Sequence, residues 1–398
     1  MTRRPRSFLF LQGPPGPLFL RLAQAMQERG HEVCRINLSG GDRLDWSAGA
    51  IDYRGTFSEW PTFVDRIMRE RGITDLLLFG DCRPYHLKAH GIAKLRGIRT
   101  HVLEEGYLRP HWMTLEIDGV NARSPIHRNK EWIYAQASTL DAEPALADVT
   151  ASFKRRARDS YWYYHHVVLG RLRYPHYRSH RPGSIVAEGL GWLWRLANSE
   201  RHQRVAASTL ARLKGQKVFL FPLQLSGDFQ IRAHSPFADM QGAARYVVES
   251  FASYAPPGTH LVLKKHPLDP SFFNWTAWTR AIARANGLAG RIHLIDGGEI
   301  DEIIGEAEGL VCVNSTSATL ALARGRPVCA IGEAIYKLPG LTHDGHLDTF
   351  WAKPQSPEEG LYEAFRRVLL ARSLVRGGLA SESAVQTLLT SLIARLED

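Results

Sequence analysis

The chain has 398 residues, of which 44% are hydrophobic and 23% charged. These values exclude a disordered protein and a small disulfide scaffold, and the length predicts two domains of ordinary size, each with its own core. The net charge is +10, and eight Lys/Arg against one acidic residue between Lys154 and Arg181 supply +7 of it, so one segment carries most of the excess.

Cysteine usage and the N-terminus indicate a cytoplasmic protein. The four cysteines are far apart and include no Cys-x-x-Cys pair, which predicts buried thiols in a reducing compartment and argues against a zinc site. The basic start followed by Phe8–Leu11 imitates a signal peptide, but the turn Gly13–Pro17 interrupts the apolar stretch too early. No apolar segment is long enough to cross a bilayer.

The first part of the chain alternates strands with amphipathic helices. The predicted strands are 7–11, 33–38, 75–79 and 100–103, and the predicted helices are 17–29, 60–72 and 84–96. The turn Gly13–Pro17 has neither the Gly-Lys-Ser/Thr of a phosphate-binding loop nor the GxGxxG order of a dinucleotide site, so we interpret it as a rigid turn from strand to helix. The alternation predicts a parallel, doubly wound, Rossmann-like sheet.

Residues 145–208 form a helical segment that mixes cations with aromatic side chains. Trp162, Tyr163, Arg171, Arg173 and Arg178 are typical of it. Three interpretations compete: a solvated helical face beside a domain linker, attachment to an anionic membrane surface, or nucleic-acid binding. The Tyr/Trp/Arg mixture favours the membrane surface, and no nucleic-acid-binding signature supports the last alternative.

The second part of the chain repeats the first architecture. The predicted strands are 216–222, 261–265, 292–295, 310–313 and 328–331, with helices between them at 235–254, 275–286, 302–308 and up to 324. Two further helices, 357–371 and 380–396, show no strand between them and are expected to cross back over the first domain. We therefore predict an α/β protein with two Rossmann-like domains facing a central cleft, the arrangement called GT-B, divided as 1–208, 209–352 and the returning helices 353–398.

Polar residues follow two of the predicted strands in the second domain. One apolar run ends in Lys264, Lys265, His266 and Pro267, and Pro267 cannot continue a central strand. Another leads into Asn314, Ser315, Thr316 and Ser317 at a helix start, which could bind an anion or simply cap the helix. Because both groups follow parallel strands, we expect them to face one crevice.

Two more stretches are candidates for the same crevice. The residues after strand 216–222 include four that are suited to hydrogen bonding with a ligand: Gln224, Asp228, Gln230 and Arg232. Glu104 and Glu105, before Gly106, would enter from the first domain. Adjacent carboxylates on an extended segment point in opposite directions, so we expect one to face the substrate, as a general base or nucleophile, unless the pair is a solvated acidic turn.

Three motifs, Glu104-Glu105-Gly106, His266-Pro267 and Ser315-Thr316, together resemble those of sialyltransferases and Kdo transferases that use CMP-sugars. With their surroundings, from Phe8 to about Thr349, they resemble more closely the capsule polysaccharide synthesis family of the KpsS and LipB type. The middle basic-aromatic segment is the part that matches least.

The resemblance implies a retaining GT-B β-Kdo transferase that starts the poly-Kdo linker of a capsular polysaccharide. The donor would be CMP-Kdo, and the acceptor an anionic phospholipid or lysophospholipid of the phosphatidylglycerol type at the inner face of the cytoplasmic membrane. Glu105 would be catalytic, and the His-Pro and Ser/Thr motifs would bind the CMP moiety. Asp228 is a guess for a nucleophile without a motif match. No cofactor or metal is expected, since no DxD motif is present.

Two other functions remain open. A CDP-glycerol-type glycerophosphotransferase has a similar His-Pro and Ser/Thr arrangement, although the acidic pair before Gly106 favours sugar transfer. A non-catalytic glycolipid-binding component of capsule export, with other capsule proteins as partners, belongs to a different class. Nucleic acid is not expected as a partner.

Overall fold

The computed structural model describes residues 5–141, 149, 152–179, 185–225, 229–269 and 273–398. The described chain forms two α/β units. The first contains the described residues within 1–125, 141–180 and 369–398, and the second contains those within 126–140 and 181–368. This partition differs from the predicted ranges, because the helices within 185–213 pack in the second unit, where Arg195 pairs with Asp296.

Strands and helices alternate along most of the described chain. The strands are β1 (Ser7–Phe10), β2 (Glu32–Asn37), β3 (Ile51–Asp52), β4 (Asp75–Phe79), β5 (Arg99–Glu105), β6 (Trp112–Ile117), β7 (Lys217–Pro222), β8 (Thr259–Lys264), β9 (Ile292–Ile295), β10 (Gly309–Cys312), β11 (Val328–Ala330) and β12 (Leu374–Arg376). The helices are α1 (Leu18–Glu28), α2 (Gly40–Asp45), α3 (Trp60–Glu70), α4 (Pro84–Leu95), α5 (Lys130–Ser138), α6 (Phe153–Leu169), α7 (Ile185–Ala197), α8 (Ser199–Leu213), α9 (Phe229–His234), α10 (Met240–Tyr254), α11 (Trp275–Ala285), α12 (Ile300–Glu306), α13 (Ser317–Ala323), α14 (Leu347–Phe350), α15 (Leu361–Arg372) and α16 (Glu382–Glu397).

The sheet of the first unit has seven strands in the order β12-β6-β5-β4-β1-β2-β3. The five strands β5, β4, β1, β2 and β3 run parallel to one another, as predicted. However, β6 is antiparallel to β5, and β12 is antiparallel to β6. The prediction of a purely parallel sheet, with no strand between the last two helices, is therefore wrong. A short loop joins β5 to β6, and a short loop can join only antiparallel neighbours.

Both faces of this sheet are buried. Phe8 and Phe10 of β1 face a core that includes α1 and α16, while Leu9 faces a second core built with α3 and α4. This alternation follows from the two-residue period of a strand. Leu388 and Leu392 of α16 are fully buried in the first core, so the predicted return of the C-terminal helix to the first unit is confirmed.

The sheet of the second unit has five strands in the order β11-β10-β7-β8-β9, all parallel. Its core contains large side chains from the strands and from α10, α11 and α14, including Phe219, Phe251 and Trp351. The α/β class with two Rossmann-like units, the domain composition of the GT-B fold, is confirmed.

The structure also bears on the predictions about the cysteines and about membrane-spanning segments. The four cysteines are free thiols, and all but the half-buried Cys34 are buried. Among the described helices, none combines the length and the hydropathy that a bilayer span requires.

Candidate functional site

The sheet of the second unit reverses its winding direction beside β7. The chain runs outward from β7 to β8 and β9, and then returns to the other side of β7 to form β10 and β11. In open parallel sheets, ligands bind beyond the carboxyl ends of the strands at this switch point. The place where the fold favours a ligand is therefore between the ends of β7 and β10.

Gln224 and Asn314 follow these two strand ends and are hydrogen-bonded to each other. Gln224 Oε1 accepts from the backbone N–H of Asn314 at 3.1 Å, and its Nε2 donates to Asn314 Oδ1 at 2.9 Å. Gln224 is buried, so this reciprocal pair fixes the spacing of the two strand ends. Two predicted donor-binding residues thus meet at the switch point.

The segment Ser315 to Ser317 offers a ligand its hydroxyl groups more than its backbone. The N–H of Ser317 donates to Ser315 Oγ at 3.2 Å, that of Ala318 donates to the Ser315 carbonyl, and that of Thr319 donates to the Thr316 carbonyl. The helix α13 has only seven residues. The first three N–H groups of the helix are thus used internally, so the predicted anion site has fewer backbone donors than the sequence suggested.

The ring of His266 has a defined polarity. Its Nδ1 accepts a hydrogen bond of 3.0 Å from the backbone N–H of Leu268, and its carbonyl accepts one from Asp269. A neutral imidazole that accepts at Nδ1 carries its proton on Nε2. His266 is half-buried and Pro267 exposed. With Nδ1 accepting from Leu268, Nε2 is the ring nitrogen that can donate to a ligand, while Pro267 fixes the backbone and contributes no donor.

Lys264 and Lys265 have different environments. Lys265 Nζ lies 3.7 Å from Asp296, which Arg195 also contacts with both terminal nitrogens, at 2.5 and 3.1 Å. Burial lowers the pKa of Lys264, opposed by Asp296 and Glu299, and within the described chain no carboxylate lies at ion-pair distance from it. Lys265 therefore belongs to a structural ion cluster, and Lys264 is the better candidate for binding an anion.

The remaining predicted donor residues lie on or before α9. Arg232 is exposed on this short helix. Asp228 and the side chain of Gln230 lie outside the described residues, so their roles stay predictions. The carbonyl of His234 accepts the N–H of Glu333 at 2.7 Å, which ties the end of α9 to the chain beyond β11.

In the first unit, Glu104 and Glu105 lie within β5, beyond the predicted strand end and not in a turn. Glu104 pairs with Thr114 and Glu105 with Met113 of β6. Gly106 follows because a Cβ there would come within 2.1 Å of the Trp112 carbonyl oxygen. The glycine of the acidic-acidic-glycine motif thus permits close approach of the two backbones.

Glu104 is held by a hydrogen-bond network that is partly buried. Asn121 Nδ2 donates to Glu104 Oε2 at 3.0 Å, and the Asn121 backbone, in the left-handed region at φ 57°, donates to the Tyr107 hydroxyl at 2.6 Å. Tyr107 donates in turn to Glu116, which also accepts from Ser124 and from Ser373 beside β12. Burial raises the pKa of Glu116, and its three hydroxyl donors oppose that rise.

Glu105 points to a different partner. Its Oε1 is in ion-pair contact with the guanidinium of Arg156 on α6. That oxygen is buried and has no hydrogen bond of normal geometry within the described residues. The two adjacent carboxylates thus have separate environments, as the strand alternation predicted, and Arg156 is a site residue that the sequence did not indicate.

Asp81 is a second site residue that was not predicted. It follows β4, which lies beside β1 at the switch point of the first sheet, and it is buried. It accepts from Cys82 Sγ at 3.1 Å and pairs with Arg123 at 3.4 Å, while burial and the Asp81 charge raise the pKa of Cys82. A polar residue after an apolar run was the signal used for His266, and it was equally present here.

The turn Gly13–Pro17 also lies at this switch point, after β1. The N–H of Gly16 donates to Asp45 Oδ2 at 3.1 Å, and a Cβ on Gly16 would lie 3.2 Å from Asp159 of α6. Burial raises the pKa of Asp45 to about 8, with the charges of Asp42 and Asp159 adding to the effect. The rigid turn is therefore packed against carboxylates of α2 and α6.

The inner face of the basic-aromatic helix α6 is structural. Tyr163 is only 3% exposed; its hydroxyl donates to Asp42 at 2.8 Å and accepts from Gln12 at 2.7 Å. A Cβ on Gly41 would lie 2.8 Å from the Tyr163 ring, so the glycine lets α6 approach α2. The prediction that Tyr163 contacts a membrane is wrong, because the ring is inside the unit.

Some of the cations of this segment make contacts within the first unit. Arg173 donates twice to Asp52, at 2.9 and 2.7 Å, and Arg178 lies over the ring of Phe57 at 5.7 Å. Arg171 is exposed, as is Trp162 at 48%. All of the five predicted membrane residues except Tyr163 are exposed, and of these Arg173 and Arg178 also make the intramolecular contacts described above.

Each unit therefore offers one kind of chemistry. At the switch point of the second unit, an imidazole N–H, a lysine, amides and hydroxyls could hold a phosphate and a sugar of low total charge. At the carboxyl edge of the first sheet, two carboxylates are held by neighbouring side chains, and a carboxylate can accept the proton of a hydroxyl group.

Comparisons with known proteins cover both sets of residues. The family model described as "Capsule polysaccharide biosynthesis protein" matches residues 74–379. The chain is 32% identical over 374 residues to the capsule polysaccharide export protein KpsS of Escherichia coli, covering 93% of this chain and 96% of that protein. It is 31% identical over 386 residues to the capsule polysaccharide modification protein LipB of Neisseria meningitidis serogroup A, covering 94% and 92%.

Among solved structures, a similar one is the β-Kdo 2,7 transferase KpsC of Thermosulfurimonas dismutans. The TM-score is 0.49 at 17% identity, with 99% of this chain and 100% of that chain covered. A likeness at this level supports no conclusion about substrates or catalytic residues.

Proposed function

The chain belongs to the capsule polysaccharide biosynthesis family, and from this premise we propose that it is a glycosyltransferase that transfers Kdo from CMP-Kdo to a phosphatidylglycerol-type lipid. The product would start the poly-Kdo linker of a capsular polysaccharide. The observation that carries the proposal is the family match over residues 74–379, which includes the Glu-Glu-Gly, His-Pro and Ser-Thr motifs.

The donor site is proposed at the switch point of the second unit. A CMP-sugar carries a single phosphate, for which Lys264 and the Nε2–H of His266 provide one cation and one directional donor. The hydroxyls of Ser315, Thr316 and Ser317, together with the Gln224–Asn314 pair, would contact the ribose and the phosphate oxygens. These groups can neutralise a monophosphate, so the proposed reaction uses no metal ion.

The proposed chemistry is a double displacement with retention of configuration. A carboxylate, for which Asp228 is the candidate, attacks the anomeric carbon and forms a glycosyl ester while CMP departs with both electrons of the broken bond. The acceptor hydroxyl then displaces this ester, and Glu105 takes the hydroxyl proton. Glu104, held by Asn121, would position the sugar or the acceptor.

A membrane-bound acceptor implies that the protein works at the inner face of the cytoplasmic membrane. The outer face of α6 and the turn after it expose large apolar side chains, with Leu172 97% and Leu169 64% exposed beside Trp162 and Arg171. Exposed apolar and aromatic groups next to cations are typical of peripheral attachment to anionic lipid. Trp162 and Arg171 are the proposed contacts.

The test is to incubate the purified protein with phosphatidylglycerol and either CMP-Kdo or CMP-sialic acid. A lipid mass increased by one Kdo is the expected result, and no increment with either donor would remove the proposal. CDP-glycerol in a parallel reaction tests the glycerophosphotransferase alternative, which predicts a glycerophosphate increment instead.

A non-catalytic role in export is the second candidate, and the word "export" in the name of the Escherichia coli relative favours it. The variant Glu105→Gln separates the two. A transferase loses turnover while still binding CMP, whereas a non-catalytic glycolipid-binding component complements capsule export as well as the wild type does.

A further inference from the structure

The first turns of α6 bring several cations to the carboxyl edge of the first sheet, and these cations differ in how firmly they are held. Arg155 is 14% exposed and contacts both Asp159 and Glu382. Arg158 is 66% exposed and contacts Asp159 next to it in sequence. Arg156 is 45% exposed and reaches across to Glu105 at the end of β5. Among these three arginines, Arg156 contacts the carboxylate proposed as the base.

The contact between Arg156 and Glu105 is one that a ligand can displace. The pair is an ion pair without hydrogen-bond geometry at Glu105 Oε1, and the guanidinium is half-exposed. Arg156 is 45% exposed, but Glu105 is 23% exposed and its Oε1 is buried, so loss of Arg156 alone would leave that oxygen without its partner at a cost in free energy. Arg156 can therefore leave Glu105 when an anion binds the guanidinium and a hydroxyl group takes its place on the carboxylate.

We propose that Arg156 binds the phosphate diester of the acceptor lipid and thereby uncovers Glu105 for the acceptor hydroxyl. In a phosphatidylglycerol headgroup, the terminal hydroxyl and the phosphate are joined by one three-carbon chain. Arg156 and Glu105 lie beside each other, so they can reach the two ends of one headgroup once the guanidinium moves off the carboxylate. The planar guanidinium matches two phosphate oxygens, as a carboxylate does.

This inference rests on the proposed function of Glu105 and extends it to selection of the acceptor. Without the phosphate, Arg156 stays on Glu105, and the carboxylate is not available to take a proton. A neutral glycerolipid would then be a poor acceptor for two reasons, since it gains no phosphate contact and leaves the base covered. An anionic headgroup removes both obstacles in a single binding step.

A binding measurement tests Arg156 without relying on turnover. The probe is glycerophosphoglycerol, the soluble headgroup, titrated calorimetrically into wild type, Arg156→Gln, Arg156→Lys and the matched control Arg158→Gln, with glycerol as the neutral probe. Arg156→Gln should bind the probe at least about tenfold more weakly, the usual effect of losing a charge-assisted contact. Arg156→Lys should be intermediate, Arg158→Gln should equal wild type, and glycerol should not bind. Unchanged affinity in Arg156→Gln, or no binding by wild type, overturns the proposal.

A kinetic experiment tests whether Arg156 selects the acceptor during transfer. Wild type should prefer phosphatidylglycerol to an uncharged alkylglycerol in the same micelles, and Arg156→Gln should lose this preference, mainly through a higher KM for the phospholipid. A preference that survives in Arg156→Gln contradicts the inference even if transfer occurs.

Conversely, absence of transfer by wild type with any donor removes the proposed function, while the headgroup titration still decides whether Arg156 binds the phosphate diester. Inorganic phosphate as a competitor shows whether the site needs the lipid glycerol, because equal displacement by free phosphate contradicts a headgroup-specific site.

Discussion

The hydroxyl of Tyr107 donates a 2.7 Å hydrogen bond to Glu116 while accepting one of 2.6 Å from the backbone N–H of Asn121. This single oxygen connects a buried carboxylate to the residue that holds Glu104. Because Ser373 also donates to Glu116, the returning C-terminal segment completes the network. The acidic motif on β5 therefore depends on residues far from it in sequence.

The first prediction is that Tyr107→Phe destabilises the protein by about 1–3 kcal/mol, the usual cost of removing one partner from a buried polar pair. Glu116 loses a donor and the N–H of Asn121 loses its acceptor. Urea unfolding measures the change. Ser124→Ala, which removes a different donor to Glu116 and leaves Tyr107 in place, is the control. Transfer activity should fall further in Tyr107→Phe than in Ser124→Ala, and equal activities would show that Asn121 does not position Glu104 through Tyr107.

Strands that consist mainly of apolar residues could be predicted from the sequence. The bounds predicted for β4 and β9 agree with the structure, because each contains three large aliphatic residues and is flanked by turn-forming residues. β6 and β12 were missed, since β6 mixes Thr and Glu with apolar residues and β12 has only three residues. Pairing with a neighbouring strand, rather than local composition, makes these segments strands.

The candidate site was predictable to the same extent. His266 and the segment Ser315 to Ser317 follow strands in the sequence, so topology alone brings them to one sheet edge. Arg156 was not predictable as a partner of Glu105, because 51 residues and several elements separate them, and nothing local marks one arginine of α6 above its neighbours. Tyr163 was misassigned for a related reason: its burial results from the glycine contact with α2.

The second prediction concerns Asp45, whose pKa is raised to about 8 by burial. In the unfolded chain an aspartate has a pKa of about 4. The folded protein thus holds a proton that the unfolded chain releases, so this contribution to stability is full below about pH 4 and is lost as the pH rises through about 8. Asp45→Asn cannot ionise and keeps an acceptor for the Gly16 N–H. Its free energy of unfolding should gain roughly 1–3 kcal/mol relative to wild type between pH 5 and pH 8.

Chemical denaturation of both proteins at several pH values measures this difference. Glu302→Gln, at an exposed position of α12, controls for the change in net charge. Parallel pH dependences for Asp45→Asn and wild type would contradict a half-buried Asp45 that keeps its proton in the folded protein.

The third prediction uses the two nitrogens of His266 separately. His266→Asn keeps an acceptor near the Nδ1 position for the Leu268 N–H but has no donor at the Nε2 position. His266→Gln reaches the Nε2 position with an amide donor but holds the turn less well. We expect His266→Asn to keep the melting temperature and to bind CMP about tenfold more weakly, as for the loss of a hydrogen bond to a charged group. His266→Gln should keep more of the affinity.

Calorimetric titration with CMP and a thermal melt of each variant separate these effects. In the transfer assay, His266→Ala should raise the KM for the CMP-sugar more than it lowers kcat, because the ring binds the phosphate and moves no proton. Wild-type CMP affinity in His266→Asn would exclude Nε2 as the phosphate donor.

The last prediction assigns membrane attachment to the outer face of α6 and the turn after it. Replacing Arg173 or Arg178 would confound the test, because both make contacts inside the first unit. Trp162→Ser combined with Leu172→Ser changes exposed side chains instead. Each large apolar side chain that enters a lipid interface contributes of the order of 1.5–3 kcal/mol, so the double variant should sediment with phosphatidylglycerol vesicles at least about tenfold less than wild type. Leu95→Ser, at an 88% exposed leucine on α4, is the matched control and should sediment as wild type does.

Arg171→Glu should weaken binding to phosphatidylglycerol vesicles while leaving any binding to uncharged phosphatidylcholine vesicles unchanged, because only the former attract a cation. Wild-type sedimentation of the double variant would contradict this surface and would point to the exposed Leu193 and Trp194 of α7 in the second unit instead.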